Sequence, residues 1–187
     1  MKTKIHIITV ILYALLNTCC MRVIILHDPL TAEEHNDLGV AYWNENHLKA
    51  AEKEFKKAVA KDKYYWLAYY NLGTILLDTN LKKSKEYLYK AITYNPEFAD
   101  AYNNLAIAEL KSKNTQKAFY FIQLALKYCK NDKHKYIDTI ASYFEQLSDM
   151  KQACKYYMQA IEQAPENEKS KYENKYVEKC SNLNIKD

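Results

Sequence analysis

The side chains that most often perform chemistry are dispersed along this chain of 187 residues. Its five cysteines form no C-x-x-C motif, and its five histidines form no H-E-x-x-H motif and lie at no metal-ligand spacing from the cysteines. The sequence also contains no glycine-rich phosphate loop and no nucleophile elbow. We therefore expect no catalytic residues, no metal site, no cofactor and no small-molecule substrate.

The positions of small residues show that the chain is built from repeats. Gly39 and Gly73, the two glycines of the chain, lie 34 residues apart and each follows a leucine. The same frame continues at Leu105-Ala106 and Ile140-Ala141, and two further sets keep the same step: Ala58, Ala91, Ala125 and Ala160, and Ala51, Ser84, Ala118 and Ala153. Small side chains recur where two helices approach closely, so the pattern predicts stacked helical hairpins with a groove that holds a partner.

Each unit also carries parts of a longer motif. The second unit contains Tyr69, Leu72-Gly73, Ser84, Leu88, Ala91 and a closing Pro96. These residues resemble the tetratricopeptide repeat, a family whose signature combines a Leu-Gly pair on the first helix with small residues on the second and a final proline. The resemblance covers four units and implies an all-α, right-handed superhelical solenoid of helix-turn-helix repeats. Lys63 and Lys130 depart from it, because they stand where proline would end the first and third units.

The resemblance sets the expected boundaries. The repeat domain spans 31–185, with repeats at about 32–65, 66–98, 99–133 and 134–167 and a C-terminal capping helix at 168–185. Thr31 and Glu34 form a capping box that opens the first helix. We predict helices at about 32–45, 48–61, 65–78, 82–94, 99–112, 115–129, 133–147, 150–163 and 167–181, and no strand.

In the family, the first helix of each repeat lines the concave surface. Carried onto this chain, that rule implies a peptide-binding groove that includes Asn36, Trp43, Tyr70, Asn71, Leu77, Asn103, Asn104 and Ile107. Asn71 and Asn104 each precede the small-residue pair of their repeat by one position. We expect both side chains to be exposed in the free protein. An asparagine side chain can donate and accept hydrogen bonds, so it can hold the backbone of an extended peptide. The alternative is that these amides only cap or hydrate an exposed helix face.

Three cysteines, Cys129, Cys154 and Cys180, lie within the repeats and the cap. Cys154 and Cys180 approach each other if the cap packs back on the last hairpin, and an exported chain would permit a disulfide there. We nevertheless expect buried free thiols, with the disulfide as the alternative.

The N-terminal residues read as an export signal. Lys2 and Lys4 precede a mostly apolar run of about twelve residues, which is too short to span a bilayer as a helix. The tetrapeptide from Leu16 to Cys19 resembles the lipobox of bacterial lipoproteins, although Thr18 replaces the usual small residue. We expect a signal peptide at 1–18 and a lipidated tether at 19–30 that begins at Cys19. Modification of Cys20, secretory cleavage without a lipid, and a retained membrane anchor are the alternatives.

The charge of the chain indicates which class of macromolecule it is suited to bind. The net charge is +4, and loss of the signal peptide, which holds two lysines and no acidic residue, leaves +2. Opposite charges are interspersed along the predicted helices, and no basic stripe with interleaved aromatic residues is present. We therefore expect no nucleic-acid partner.

These observations predict a non-enzymatic protein-protein interaction scaffold, anchored in the bacterial cell envelope and facing the periplasm or the exterior. The partner is expected to be a protein or peptide of the same compartment. The alternative is a periplasmic chaperone or adaptor for assembly of a secretion, pilus or polysaccharide-export complex. An enzyme of cell-wall or peptide metabolism is the third hypothesis, and no set of polar residues supports it.

Overall fold

The computed structural model describes residues 28–181. Nine α-helices and no strand are found in this range. In chain order they are α1 Ala32–Asn44, α2 Leu48–Lys61, α3 Trp66–Ile75, α4 Leu81–Tyr94, α5 Ala99–Lys111, α6 Thr115–Tyr128, α7 Lys133–Gln146, α8 Met150–Gln163 and α9 Glu166–Cys180. The first eight pair as four hairpins, and α9 covers the last of them, so the predicted all-α solenoid of four repeats and a cap is confirmed.

The glycines mark the closest approaches within the first two hairpins. A Cβ atom on Gly39 would lie 2.5 Å from the ring of Phe55, and one on Gly73 would lie 2.6 Å from Cγ of Leu88. Both large side chains belong to the second helix of the hairpin and are fully buried. Glycine at these two positions therefore lets a bulky core residue seat directly against the first helix.

Three of the four hairpins share one turn. Asn46, Lys113 and Ser148 each adopt a left-handed backbone conformation after the first helix, with φ of 60°, 58° and 60°. The amide of the next residue bonds to a carbonyl five residues earlier, as in His47 N to Tyr42 O at 2.8 Å. This pattern closes a helix by satisfying carbonyls that its last turn leaves free.

The second hairpin differs, and one predicted boundary was wrong there. The helix expected at 65–78 ends at Ile75, and the chain continues through turns in which Leu77 N bonds to Thr74 O and Thr79 N to Leu76 O. These bonds span three residues and replace the four-residue spacing of an α-helix. Asn80 then caps α4 by accepting a hydrogen bond from Lys83 N.

The cap is joined to the last hairpin by a disulfide, which corrects the expectation of free thiols. Cys154 on α8 and Cys180 at the end of α9 are bonded, with Cα atoms 5.8 Å apart. Tyr172 of α9 is buried as well and packs against Ile137 and Ala160. The two cysteines meet because a stripe of buried residues along α9 lies against the last hairpin, the arrangement that makes the pairing geometrically allowed.

The predicted signal peptide, the Cys19 lipidation site and most of the tether lie outside the described residues. None of the helices between residues 28 and 181 combines the length and the apolar character needed to cross a bilayer.

Candidate peptide-binding groove

The first helices of the repeats, α1, α3, α5 and α7, line the inner side of the solenoid. α5 contacts both α3 and α7 directly, whereas no two second helices make contacts of comparable extent. Helices on the inside of a curved stack approach one another more closely than those on the outside. The inner surface is therefore the concave groove, and the second helices α2, α4, α6 and α8 form the convex face.

The eight residues expected to line the groove divide into two groups. The four asparagines are buried, with exposed fractions of 2% for Asn36, 5% for Asn71, 9% for Asn103 and 8% for Asn104. The four apolar or aromatic residues, Trp43, Tyr70, Leu77 and Ile107, are partly exposed. The expectation that Asn71 and Asn104 are exposed in the free protein is thus wrong.

Two of the buried asparagines join neighbouring repeats. Asn71 Nδ2 donates to Asn36 Oδ1 across 2.8 Å, a buried bond between α3 and α1. Asn104 Nδ2 donates to Thr74 Oγ1, also across 2.8 Å, and so links α5 to α3. These amides already use part of their hydrogen-bonding capacity inside the protein, and they fix the offset between hairpins.

Asn103 differs from its neighbours. Its Oδ1 atom is buried and has no hydrogen-bond partner among the described residues. A buried acceptor without a partner is unfavourable, because its desolvation is not compensated. Asn103 is thus the one predicted amide with a buried acceptor that stays unsatisfied within residues 28–181.

Aromatic rings cluster at the junction of the second and third repeats. Tyr70 packs edge-on against Phe98 with centroids 4.8 Å apart, and Phe98 lies 4.5 Å from Trp66. Burial, and secondarily the Asp100 carboxylate, raises the pKa of Tyr70 to about 12. The Tyr70 phenol is therefore neutral at physiological pH. Its partly exposed ring offers an apolar surface with a polar tip.

A cavity of about 310 Å³ lies beside this cluster, between the loops that enter the third and fourth repeats. Its lining includes Phe98, Asp100, Tyr128, Lys130, Asp132 and Tyr136. Tyr136 donates to Asp100 Oδ1 across 2.8 Å, and burial together with this bond raises the pKa of the Tyr136 phenol. Sequence reasoning missed this cavity, because its walls come from two loops and two helices that only stacking brings together.

The first helices are mainly negative, although three of their carboxylates, Glu109, Asp138 and Glu145, pair with Lys85, Lys175 and Lys179 of other helices. The first helices carry seven carboxylates and three lysines, a net charge of −4. Two of these lysines are paired, Lys111 with Asp78 at 2.8 Å and Lys135 with Asp132 at 3.2 Å. Glu33 and Asp37 lie one turn apart on α1 and are exposed, and no cationic group pairs with either among residues 28–181.

The Glu33 and Asp37 carboxylates also act on Tyr65, which precedes α3. Burial raises the pKa of Tyr65, and the two carboxylates raise it further. The N-terminal end of the groove is therefore acidic and contains an aromatic ring. Such a surface is complementary to a segment that carries basic and apolar side chains.

The stack of four helical hairpins is shared with known proteins. Family models described as the tetratricopeptide repeat match residues 36–84, 80–133 and 135–167. The chain belongs to the tetratricopeptide repeat family. A comparison with curated proteins found no match.

Solved tetratricopeptide repeat structures resemble the chain in fold. Two crystal structures of MamA are 26% and 27% identical to it, cover 76% and 78% of it, and match over 76% and 84% of their own chains, with TM-scores of 0.60 and 0.62. TTC0263, a thermophilic tetratricopeptide repeat protein of Thermus thermophilus, is 18% identical over 81% of this chain and 82% of its own, with a TM-score of 0.68. Tetratricopeptide repeat proteins are in general scaffolds for protein-protein interaction.

Within residues 28–181 no group of three or more potential ligand side chains could hold a metal ion.

Proposed function

We propose that this tetratricopeptide repeat protein is a non-enzymatic interaction scaffold of the bacterial cell envelope. Its groove holds a segment of a partner protein that carries both basic and apolar side chains. The observation that carries this proposal is the inner surface, where the unpaired Glu33 and Asp37 carboxylates of α1 lie near Tyr65. The partly exposed rings of Trp66 and Tyr70 follow on α3. Aromatic anchors with charged groups around them are typical of binding surfaces.

The buried amides change how the groove is expected to work. Asn36, Asn71 and Asn104 hold neighbouring repeats in position, so they shape the groove before the partner arrives. Direct contact is then made by Trp43, Tyr70, Leu77 and Ile107 and by the exposed carboxylates of α1. A preformed groove loses less conformational entropy on binding than a mobile one.

The disulfide supports a location outside the cytosol. Disulfides persist in oxidising compartments and are rare where glutathione and thioredoxin keep thiols reduced. The Cys154–Cys180 bond therefore agrees with an exported chain. In this proposal, Cys19 is the acylated N-terminus and holds the domain on the membrane, because several acyl chains on one cysteine give lasting attachment.

The groove proposal is tested by capture of partners from detergent-solubilised membranes. Glu33→Gln with Asp37→Asn removes the unpaired charges of α1, and Glu86→Gln with Glu162→Gln removes two exposed carboxylates from the convex face. Each charge contact is worth up to about 1 kcal/mol, so the first pair should weaken the captured partner about three- to tenfold in calorimetry. The second pair should leave affinity unchanged. Loss of affinity only in the Glu86→Gln, Glu162→Gln variant would show that the groove is not the binding site.

The anchoring proposal is tested separately by mass spectrometry of the mature N-terminus. A diacyl or triacyl group on Cys19 is expected, together with loss of membrane retention in a Cys19→Ser variant. An unmodified N-terminus at another residue would overturn the lipid anchor, and it would leave the groove experiment unaffected.

A further inference from the structure

Contrary to the expectation of interspersed charges, the two kinds of helix carry opposite net charges. The second helices α2, α4, α6 and α8 carry 13 lysines and 4 glutamates, a net charge of +9. The first helices carry a net charge of −4, as described above, and the cap α9 has four residues of each sign. A nearly neutral protein is therefore basic along its second helices and acidic along its first helices.

Many of the convex lysines are free of carboxylate partners. On each of these helices the buried side is marked by its small and bulky core residues, and lysines stand on the opposite side. Lys49, Lys53, Lys82, Lys90, Lys117, Lys127, Lys151 and Lys155 are exposed and make no ion pair within the described range. They lie on all four second helices, so the positive charge runs along the whole length of the solenoid.

The same face carries most of the exposed apolar surface. Among residues 28–181, nine large apolar or aromatic side chains are exposed, and six of them lie on second helices. These six are Leu48, Tyr89, Tyr94, Phe119, Tyr120 and Met158. None of the nine lies on a first helix. Tyr120 is the most exposed of the six, at 56%.

We propose that the convex face lies against an anionic phospholipid bilayer. The lysine ammonium groups would contact lipid phosphates, and the tyrosine, phenylalanine and methionine side chains would lie at the level of the headgroups. Lysine stems can also cover apolar surface while their charged ends remain in water. This orientation leaves the acidic groove facing away from the membrane and open to a partner.

Nucleic acid also attracts basic surfaces with aromatic residues, and the structure favours lipid over it. The Cys154–Cys180 disulfide indicates an oxidising compartment, and the membrane location rests on the proposed function. An anionic leaflet attracts lysines within about one Debye length, so a face with exposed lysines along its length is suited to it.

Sedimentation of the full chain with phospholipid vesicles tests the proposal. Vesicles of phosphatidylcholine with phosphatidylglycerol are compared with vesicles of phosphatidylcholine alone. The convex variant carries Lys53→Gln, Lys82→Gln and Lys155→Gln, one change on each of three second helices. The matched control carries Lys111→Gln, Lys133→Gln and Lys135→Gln on first helices, with the same change in net charge. Every variant keeps the same N-terminus, so differences between them report on the folded domain.

The wild type should bind the anionic vesicles and lose binding as salt is raised. The convex variant should bind them at least tenfold more weakly, and the control less than about twofold more weakly. Equal losses in both variants would overturn the proposal, because they would show a response to net charge alone. Equal binding to both kinds of vesicle would also overturn it, as would absence of vesicle binding.

Single-stranded RNA and duplex DNA serve as competing ligands in the same assay. Convex-dependent binding of either, without vesicle binding, would assign the face to nucleic acid and contradict the lipid proposal. Because no peptide partner takes part, failure here leaves the groove proposal standing. Failure of the groove experiment likewise leaves the vesicle result interpretable.

Discussion

At the scale of single residues, the buried asparagines of the first helices are structural. The Asn71–Asn36 hydrogen bond joins side chains 35 positions apart, and both residues are almost completely buried. Polar pairs of this kind fix the register between packed elements, since the amide of one must meet the carbonyl of the other. They therefore fix the shape of the inner surface of the solenoid.

Asn71→Ala should lower the free energy of unfolding by about 1–3 kcal/mol, because it leaves the buried Asn36 acceptor without a donor. Urea unfolding followed by circular dichroism measures this change. Asn103→Ala is the control, since its Oδ1 atom has no partner among the described residues, and its loss should be smaller. Equal losses in the two variants would contradict the structural role of Asn71.

A second polar network ties Asp28 to the first hairpin. His35 is fully buried, with Nδ1 2.8 Å from Glu54 Oε2 and Nε2 3.0 Å from Asp28 Oδ2, the latter contact falling short of hydrogen-bond geometry. Lys57 Nζ donates to Glu54 Oε1 at 2.9 Å. Burial alone would raise the pKa of Glu54, but the hydrogen bonds from Lys57 and His35 outweigh it and lower the pKa below 4.5.

A lowered carboxyl pKa contributes stability above its unfolded value, and that contribution is lost as the pH falls through the folded value. Glu54→Gln should therefore destabilise the protein by about 1.5–3 kcal/mol near neutral pH, and this difference from wild type should shrink below about pH 4.5. Urea unfolding at a series of pH values measures the difference. Glu45→Gln, at an exposed position, should show little effect at any pH. A difference for Glu54→Gln that stays constant with pH would contradict the prediction.

At the scale of elements, the turns within hairpins hold local strain. Lys113 has φ of 58°, a conformation that costs a residue with a side chain about 1–2 kcal/mol relative to glycine. The second hairpin has no residue of positive φ at its turn, and its first helix ends early instead. The hairpins thus close by two different local arrangements of the backbone.

Lys113→Gly should raise the free energy of unfolding by about 0.5–1 kcal/mol, because relief of the left-handed strain exceeds the added entropy of the unfolded chain. Thermal or urea unfolding checks the change. Lys90→Gly, within the exposed face of α4, should lower stability by about 1 kcal/mol. Equal losses of stability in the Lys113→Gly and Lys90→Gly variants would contradict backbone strain at Lys113.

The cap depends on its disulfide. Cys154 and Cys180 are separated by 26 residues, and a cross-link over a loop of this length stabilises by about 3–4 kcal/mol in the chain-entropy model. A reductant should therefore lower the melting temperature of the wild type. The Cys154→Ala, Cys180→Ala double variant should melt below the oxidised wild type, and the reductant should not change its melting temperature. Cys129→Ser should respond to the reductant as the wild type does, since Cys129 is not in a disulfide.

At the scale of the whole molecule, the solenoid places opposite net charges on its two faces. In each hairpin the first helix lies on the concave side and the second on the convex side. A difference in charge between first and second helices therefore becomes a difference between two surfaces. The acidic groove and the basic convex face can then serve two partners at once without competition. This arrangement is the basis for proposing a peptide on one side and a lipid surface on the other.

The sequence alone determined the number of repeats, the helix positions and the cap. These follow from local or periodic rules, because a small residue is required wherever two helices meet closely, and each hairpin repeats the same contact. Eight of the nine helices ended within two residues of the prediction. α3 was the exception, since the i to i+3 hydrogen bonds that shorten it have no periodic signal in the sequence.

The tertiary structure decided which side chains face the groove and which join the repeats. The contacts that decide these features join residues 26 to 36 positions apart. They are the hydrogen bonds of Asn71 and Asn104, the Cys154–Cys180 disulfide and the Tyr136–Asp100 bond beside the cavity. Such contacts depend on the offset and rotation between successive hairpins. Those quantities come from the packing of whole helices, so no local pattern encodes them. The difference in charge between first and second helices is present along the chain, and stacking of the repeats gathered it into two faces.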